Sequence, residues 1–488
     1  MQKVHLMAVC GKAMVMLAGM LKELGCDVRG SDSNIFPPMS TQLQKLGIPY
    51  FEGFHASNLD WNPDLVVVGN VITRVNPEST AMRERGFAYT SFPKMLAEIL
   101  IRDRHSIVVS GTHGKTTTSG ILAWTLHHAG CDPGFMVAGV MHNFEQTYSL
   151  GSGEFVVVEG DEYDTAYFDK VPKFIHYRPR TGLLTSVEFD HADIYEDLAR
   201  VKREFTTFVG LIPHDGLLVA CIDDANVRDV IQTAVAPIQT YGYAEDADWR
   251  ITETIVRDGE TAFTVTYHNK LIGTFHTTLI GRHNLLNLLG SVAVLHNCGL
   301  SVEAIDAGFR TFLGVKNRQE VRGCINNITV IDDFAHHPTA VRETVAAVKA
   351  HYLPPSSART QGRLWSVFEP ATAATRRDIF QQEYVEAFLQ TDVAVIADVN
   401  RPDKAPEGRR FSTAQLVLDL EKRGIEARHI SGVDRMTAYI AEHALPGDVI
   451  LIMSNSGFGG IHEKLLTALE QKTLHFDISR KREEIVRG

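Results

Sequence analysis

Residues 108–118 read V-V-S-G-T-H-G-K-T-T-T, and this stretch decides the fold of the residues around it. An apolar strand runs into a glycine-lysine-threonine turn and then into a helix, which is the pattern of a phosphate loop. The helix adds its positive N-terminal end, Lys115 can reach the β- and γ-phosphates, and the Thr116 hydroxyl can ligate Mg²⁺. The loop is two residues shorter than the strict P-loop spacing, which needs glycine where Val109 stands. We predict a nucleoside triphosphate site.

The length, net charge and cysteine content of the chain exclude several classes of protein. A chain of 488 residues suggests about three domains at about 150 residues each. The net charge of −11 argues against a nucleic-acid partner, which would need clustered Lys and Arg. The six cysteines lack metal-like spacing and fit a reducing compartment. Because no run reaches the roughly 18 apolar residues that span a bilayer, we expect no membrane insertion and a cytoplasmic protein.

The N-terminal segment has a Rossmann-like beginning. Val4–Val9 predicts a strand, Gly11 a turn, and a second strand ends at Ser31-Asp32. Only one of the three dinucleotide-fingerprint glycines is present, which disfavours a nicotinamide dehydrogenase. The next strand, Leu65–Val68, delivers Gly69-Asn70 to the edge where open α/β sheets bind ligands. We predict a site for a nucleotide-like ligand other than ATP, with a docking domain as the alternative.

Acidic residues follow two strands after the phosphate loop. The strand Phe155–Val158 ends in Glu159-Gly160-Asp161-Glu162, and Leu183–Val187 ends in Glu188-Phe189-Asp190-His191. Carboxylates at strand ends beside a phosphate loop are typical of Mg²⁺ sites, because this hard cation takes oxygen ligands. Residues 245–279 alternate polar and apolar positions and predict a small antiparallel addition.

A third α/β segment follows residue 314. Its predicted strands, Ile328–Ile331, Leu364–Phe368, Val393–Ala397 and Val449–Met453, alternate with helices such as Thr413–Lys422. The last strand opens into a second glycine-rich turn at residues 454–460. That turn alone is weak evidence for another anion site.

The order of these segments resembles the Mur ligase family, which makes the peptide of the bacterial cell wall by ATP-dependent amide synthesis. The motifs that carry the resemblance are Gly111–Thr117, Glu159–Glu162, Glu188–His191, Gly281–Asn287, Arg318 and Asp332–Thr339. The resemblance implies an α/β protein of three domains. They are a Rossmann-like UDP-sugar-binding domain at 1–103, a P-loop ATPase-like ATP-binding domain at 104–322, and a Rossmann-like acceptor-binding domain at 323–488.

The resemblance also implies roles for individual residues, with ATP lying between the second and third domains. Asn284 would contact adenine, Arg318 the phosphates, and Asp332 or Asp333 the ribose. The phosphate loop would use Gly111, Thr112, His113, Gly114, Lys115, Thr116 and Thr117. Mg²⁺ would be held by Thr116, Glu159 and His191, and the catalytic residues would be Lys115, Glu159 and His191. The UDP end would contact Gly11, Ser31, Asp32 and Asn70.

Within the family, Gly30–Asp32, Pro37–Ser40 and Met453–His462 most resemble members that join L-alanyl-γ-D-glutamyl-meso-diaminopimelate to UDP-N-acetylmuramate in murein peptide recycling. That reaction passes through an acyl phosphate. The member that adds L-alanine carries His-Arg where Ala371-Thr372 stands here, which favours a larger acceptor. Several members carry a carbamylated lysine where this chain has Phe205, so we expect no carbamate.

The acceptor carries several carboxylates, which a guanidinium binds through two hydrogen bonds. We therefore predict that Arg376 or Arg377, after the strand that ends at Phe368, fixes one of them. The alternative is that both are exposed helix charges and that the turn at Asn455 and Ser456 contacts the acceptor. Three other functions remain open: a biosynthetic L-alanine ligase, a folylpolyglutamate synthase, and a non-catalytic switch that binds ATP and a UDP-sugar.

Overall fold

The computed structural model describes residues 1–144, 146–192, 194–354 and 362–472. Chain contacts divide the protein into two compact units. The first comprises Met1–Glu188, Asp197–Thr278 and Leu286–Leu313. The second comprises Phe189–Glu196, Leu279–Leu285 and the described part of Gly314–Gly488. The three domain ranges drawn from the sequence stay a prediction.

The N-terminal part of the first unit is a parallel sheet with strand order β3-β2-β1-β4-β5. Its strands are β1 Lys3–Met7, β2 Asp27–Asp32, β3 Tyr50–Glu52, β4 Leu65–Val68 and β5 Tyr89–Ser91. Its helices are α1 Lys12–Glu23, α2 Met39–Lys45, α3 Pro77–Glu84 and α4 Phe92–Leu96. Helix α3 begins after Asn76, whose side chain accepts hydrogen bonds from the N–H groups of Glu78 and Ser79.

A second sheet of the first unit has strand order β17-β16-β15-β14-β13-β12-β6-β9-β7-β8. Its strands are β6 His105–Ser110, β7 Gly134–Met136, β8 Tyr148–Ser149, β9 Phe155–Gly160, β12 Thr181–Leu184, β13 Leu217–Cys221, β14 Ile238–Gly242, β15 Trp249–Arg257, β16 Glu260–Tyr267 and β17 Lys270–Thr277. A separate hairpin consists of β10 Asp164–Ala166 and β11 Asp169–Pro172. The helices of this region are α5 Lys115–His128, α6 Leu198–Gly210, α7 Ala225–Val230, α8 Arg282–Asn297 and α9 Val302–Thr311.

Strand β6 lies between β12 and β9 and pairs in parallel with both. The phosphate loop that follows β6 and the acidic residues that follow β9 therefore leave the same edge of the sheet. Strands β15, β16 and β17 pair antiparallel, as the alternating pattern of residues 245–279 predicts. Among the described residues, no helix is both long enough and apolar enough to cross a membrane.

The second unit contains a sheet with strand order β18-β19-β23-β20-β21-β22. Its strands are β18 Glu320–Ile325, β19 Ile328–Asp333, β20 Leu364–Phe368, β21 Val393–Ile396, β22 Glu426–His429 and β23 Val449–Met453. Its helices are α10 Pro338–Tyr352, α11 Glu383–Ala387, α12 Thr413–Lys422 and α13 Val433–His443. Apolar clusters cover both faces of this sheet, as expected for strands that are mostly parallel.

Phe205, at the position where several Mur ligases carry the modified lysine, lies in the core of the first unit. It is 1% exposed, and its ring centroid lies 6.5 Å from that of Phe174. The nearby Lys202 pairs with Asp229 at 2.5 Å. Neither side chain lies among the residues that form the candidate active site below.

Candidate active site

The phosphate loop occupies residues 111–114, between β6 and α5. Gly111 and Gly114 have φ angles of +135° and +83°, in the region that favours glycine. A Cβ atom on Gly111 would lie 2.2 Å from Oγ1 of Thr185, and one on Gly114 would lie 2.4 Å from Oδ1 of Asn287. Both positions therefore need glycine, and the loop leads directly into the N-terminal end of α5, which favours anions.

Thr185 and Ser186, which follow β12, hold this loop in place by hydrogen bonds. Ser186 accepts hydrogen bonds from the N–H of Thr112 at its carbonyl oxygen (2.9 Å) and from the N–H of His113 at Oγ (3.0 Å). Thr185 donates from Oγ1 to the carbonyl oxygen of His113 at 2.5 Å. The strand predicted to extend to Val187 ends at Leu184. The N–H of Thr185 still donates to the carbonyl oxygen of Ser110 in β6 at 3.0 Å, but Ser186 bonds to the loop instead.

Lys115 is the cation of the loop. Its Nζ donates to the carbonyl oxygen of Gly111 at 2.5 Å and lies 3.1 Å from Oε1 of Glu162. Burial would lower the pKa of Lys115, but the carboxylates of Glu162, Asp161 and Glu159 outweigh it and raise the pKa above its usual value. The amine is therefore charged and held over the loop.

Thr116 and Glu159 place two oxygen atoms that could ligate a metal ion side by side next to the loop. The Thr116 hydroxyl donates to Oε2 of Glu159 at 3.1 Å, and Oε1 of Glu159 accepts from the N–H of Ala138 at 2.6 Å. Glu159 is 8% exposed, so its carboxylate is fixed rather than solvated. Thr117 is buried in the first turn of α5 and supports the helix. The pair offers the oxygen chemistry that Mg²⁺ prefers.

Glu162 and Lys173 were not among the predicted site residues. Lys173 donates to Oδ2 of Asp161 at 2.6 Å and lowers the pKa of Asp161 below its usual value, although burial alone would raise it. The acidic motif itself signals Glu162. No sequence signal points to Lys173, because the hairpin β10–β11 separates it from the motif and brings it back.

The four residues predicted to hold the UDP end lie where β1, β2 and β4 end. Oδ2 of Asp32 accepts from the N–H of Cys10 at 2.9 Å, next to Gly11, and Asn70 is exposed after β4. Ser31 differs, because it is fully buried and its hydroxyl donates to Oε1 of Glu78 at 2.7 Å. The side chain of Ser31 therefore points into the domain, and a role in binding stays a prediction.

The four predicted nucleotide residues of the second unit surround a turn at residues 317–319. Asn284 donates from Nδ2 to Oε1 of Gln319 at 3.1 Å, and the N–H of Gln319 donates to Oδ2 of Asp333 at 2.8 Å. Asn317 donates to Oδ2 of Asp332 at 2.6 Å. The Arg318 guanidinium lies over the ring of Phe334, 4.5 Å from its centroid, and burial raises the pKa of Asp333. These contacts cluster all four residues, Asn284, Arg318, Asp332 and Asp333.

His191, the remaining predicted metal ligand, belongs to the second unit. Its φ angle is +53°, and its N–H donates to Oδ1 of Asp190 at 2.7 Å. Burial would raise the pKa of Asp190, but His336, His191 and His337 outweigh it and lower the pKa. Asp190 is a buried carboxylate whose Oδ2 lies 3.6 Å from Nε2 of His336, and the metal role of His191 stays a prediction.

The predicted acceptor residues lie near the ends of β20 and β23. Arg376 donates from Nε to the carbonyl oxygen of Asn400 at 2.6 Å, and Arg377 from Nη1 to that of Ala192 at 3.0 Å. Asn455 is partly exposed beside Ser456.

A buried carboxylate, not predicted from the sequence, organises this edge. Glu369 is 7% exposed, and its Oε2 accepts from the hydroxyls of Ser454 and Ser456, each at 2.5 Å. Its Oε1 accepts from Nδ2 of Asn400 at 3.0 Å. Glu369 therefore ties the Ser454–Ser456 turn to the segment that also anchors Arg376.

Three family models match the chain in sequence order. They are described as "Mur ligase family, catalytic domain" over residues 3–104, "Mur ligase middle domain" over residues 109–295, and "Mur ligase, glutamate ligase domain" over residues 317–456. Together they cover the three sheets described above, except for the first residues of β6.

Full-length relatives agree with the family models. The Escherichia coli protein named UDP-N-acetylmuramate–L-alanyl-gamma-D-glutamyl-meso-2,6-diaminoheptandioate ligase is 36% identical, covering 96% of this chain and 99% of the relative. A UDP-N-acetylmuramate–L-alanine ligase of Geotalea uraniireducens is 31% identical over 96% of this chain and 98% of the relative. The crystal structure of a murein peptide ligase from Psychrobacter arcticus aligns with a TM-score of 0.69 at 34% identity, covering 96% of this chain and 99% of that one. The chain belongs to the Mur ligase family.

Proposed function

We propose that this chain is an ATP-dependent amide ligase that joins L-alanyl-γ-D-glutamyl-meso-diaminopimelate to UDP-N-acetylmuramate. The observation that carries the proposal is the position of Lys115, whose Nζ lies 3.1 Å from Oε1 of Glu162 and donates to the carbonyl oxygen of Gly111 in the phosphate loop. The name of the Escherichia coli relative, 36% identical over nearly the whole chain, supports this pair of substrates.

The reaction needs positive charge because a carboxylate must approach a triphosphate. A carboxylate oxygen of the muramate attacks the γ-phosphorus, and ADP leaves with the electrons of the broken P–O bond. The tripeptide amine then attacks the acyl phosphate carbon, loses a proton and expels inorganic phosphate. Lys115 neutralises the charge that gathers on the phosphates, and electrostatic contacts of this type contribute several kcal/mol at the transition state.

The oxygen donors beside the loop fit Mg²⁺. Thr116 Oγ1 and Glu159 Oε2, 3.1 Å apart, are the ligand types of this hard cation, and we include His191 from the family resemblance. When bound, Mg²⁺ would offset negative charge on the phosphates. The N–H of Ala138 donates to Oε1 of Glu159, so Oε2, the oxygen beside Thr116, would be the one to face the ion.

We assign the nucleotide and acceptor ends by the same reasoning. Residues 1–103 would bind the UDP end, residues 104–322 the ATP phosphates, and residues 323–488 the acceptor. Ala371-Thr372, where the alanine-adding member carries His-Arg, supports a peptide acceptor. The alternative is a ligase for free L-alanine, in keeping with the name of the relative that is 31% identical.

One assay separates these functions. ADP release is measured with UDP-N-acetylmuramate and either the tripeptide, L-alanine or no acceptor, and the product is identified by mass. We expect rapid ADP release and a UDP-N-acetylmuramoyl tripeptide only with the tripeptide. Product formation from L-alanine would favour the biosynthetic ligase, and slow ADP release without any product would favour a nucleotide switch.

A further inference from the structure

The hairpin β10–β11 follows the acidic motif at residues 159–162 directly in the chain. Asp161 accepts from the N–H of Tyr163 at 3.1 Å and from Nζ of Lys173 at 2.6 Å. The N–H of Lys173 also donates to the carbonyl oxygen of Tyr163 at 3.1 Å. These contacts close the base of the hairpin beside the carboxylates that face Lys115. The hairpin is therefore rigidly joined to the phosphate site.

The tip of the hairpin packs on the N-terminal sheet of the same compact unit. Tyr167 and Phe168 lie against the apolar cluster that includes Met7, Val66 and Met82. The ring of Phe168 meets that of Tyr89 edge-on at 5.1 Å, and Asp169 pairs with Lys94 at 2.9 Å. The tip thus contacts β5 and α4 as well as the sheet itself.

Tyr167 makes one directed contact within this packing. Ser79, on α3, donates from its hydroxyl to Oη of Tyr167 at 3.0 Å, and Ser79 is fully buried. A hydrogen bond between two hydroxyls fixes distance and direction even where, as here, it is only partly buried, whereas apolar contacts tolerate sliding. The contact therefore defines where α3 sits relative to the hairpin.

Glu78, the residue before Ser79, connects α3 to the edge of the N-terminal sheet by hydrogen bonds. Glu78, also fully buried, accepts from the hydroxyl of Ser31 at 2.7 Å and from Nδ2 of Asn58 at 3.0 Å, and it contacts His5. The carbonyl oxygen of Ser31 in turn accepts from the N–H groups of Ala8 and Val9 at 2.8 and 3.0 Å, which lead into the Gly11 turn. Each step in this series is a short contact within the first unit.

We propose that Tyr167 is a positioning residue. Through Ser79 it fixes the sheet edge that carries Ser31 and Asp32 relative to the acidic motif at 159–162, and so aligns the sugar carboxylate with the γ-phosphate. The inference rests on the proposed function, in which two reactants are held by different parts of the first unit. Misplacement of reacting groups by about 1 Å can cost about 100-fold in rate.

The test is steady-state kinetics of Tyr167→Phe, which removes the hydroxyl but keeps the ring on the apolar cluster. We expect kcat for tripeptide ligation to fall about tenfold or more, while the KM values for UDP-N-acetylmuramate and ATP stay within about twofold and Tm is unchanged. Ser79→Ala should give the same result. The double variant should be no slower than either single variant, because both remove one contact.

Lys170→Ala is the matched control, because Lys170 lies in the same hairpin, is 63% exposed and pairs only with Asp164 among the described residues. It should match the parent. A Tyr167→Phe variant with the parent's kcat would overturn the inference, whatever its Tm, and so would an equal loss of kcat in Lys170→Ala. Failure of the proposed function is distinct, because the parent protein itself would then make no tripeptide product.

Discussion

Lys115 and Glu162 form an ion pair of 3.1 Å directly above the phosphate loop. The pair places a charged amine where a triphosphate would arrive, and it ties the loop to the acidic motif that follows β9. ATP phosphates would compete with Glu162 for the amine, so the carboxylate keeps Lys115 in place until the nucleotide binds.

Lys115→Ala should abolish ligation and leave the binding of UDP-N-acetylmuramate nearly intact, because the amine serves the phosphates. The loss of transition-state stabilisation should be about 3 kcal/mol or more. Isothermal titration calorimetry measures the sugar affinity, and ADP release measures the activity. Adding Glu162→Gln controls for the carboxylate left without its lysine. If Lys115→Ala and the double variant with Glu162→Gln both lose affinity for UDP-N-acetylmuramate as strongly as they lose activity, Lys115 does not serve the phosphates alone and the prediction is wrong.

Glu159→Gln should raise the Mg²⁺ concentration required for half-maximal activity, since an amide oxygen is a weaker ligand than a carboxylate. Activity should partly return at saturating metal. The fold should survive, because the amide oxygen can still accept from the N–H of Ala138. Asp164→Asn, at a partly exposed position nearby, is the control. A Mg²⁺ titration that overlays the parent's would remove Glu159 from the ligands and direct attention to Asp161.

Gly114→Ala should weaken ATP binding by at least tenfold. The new Cβ atom would lie 2.4 Å from Oδ1 of Asn287, so either the loop or the Asn287 amide must shift, and the φ of +83° would be strained for alanine. Gly130→Ala is a matched control, because Gly130 has a φ of +79° and a Cβ atom there meets nothing within 4 Å. If Gly114→Ala binds ATP as tightly as Gly130→Ala, measured by calorimetry, the prediction is wrong.

Arg376→Lys or Arg377→Lys should raise the tripeptide KM about tenfold, because lysine cannot form the two parallel hydrogen bonds of a guanidinium. The assay uses saturating ATP and UDP-N-acetylmuramate. Arg409→Lys is the control, because Arg409 is 66% exposed and pairs with Asp378. Unchanged KM values in both variants would assign the acceptor contacts to the turn at Asn455 and Ser456.

The sequence predicted the fold well where apolar runs are continuous. Leu65–Val68, Leu364–Phe368 and Val449–Met453 are strands with the predicted limits, and the α/β class is confirmed. These are interior strands of largely parallel sheets. Because such strands are buried on both faces, their sequences are continuous apolar runs that are easy to recognise. The limits of the strand predicted at Leu183–Val187 were wrong, because Thr185 and Ser186 bond to the phosphate loop.

The candidate site was predictable only where its chemistry is local. Gly111–Thr117 carries its function in consecutive residues, whereas the buried side chains of Ser31, Glu78 and Glu369 take their partners from distant segments. From the sequence alone, the Ser31 hydroxyl, next to Asp32 at a strand end, was predicted to contact the UDP end of the substrate. Only the fold reveals that the hydroxyl points inward to Glu78.

The closed base of the β10–β11 hairpin has a consequence for protein engineering. Asp161, Tyr163 and Lys173 join the two ends of the hairpin by hydrogen bonds. We therefore expect that the residues between them can be exchanged between family members without moving the acidic motif. Chimeras that differ only in these residues would isolate their share of the turnover rate from that of every residue that touches ATP.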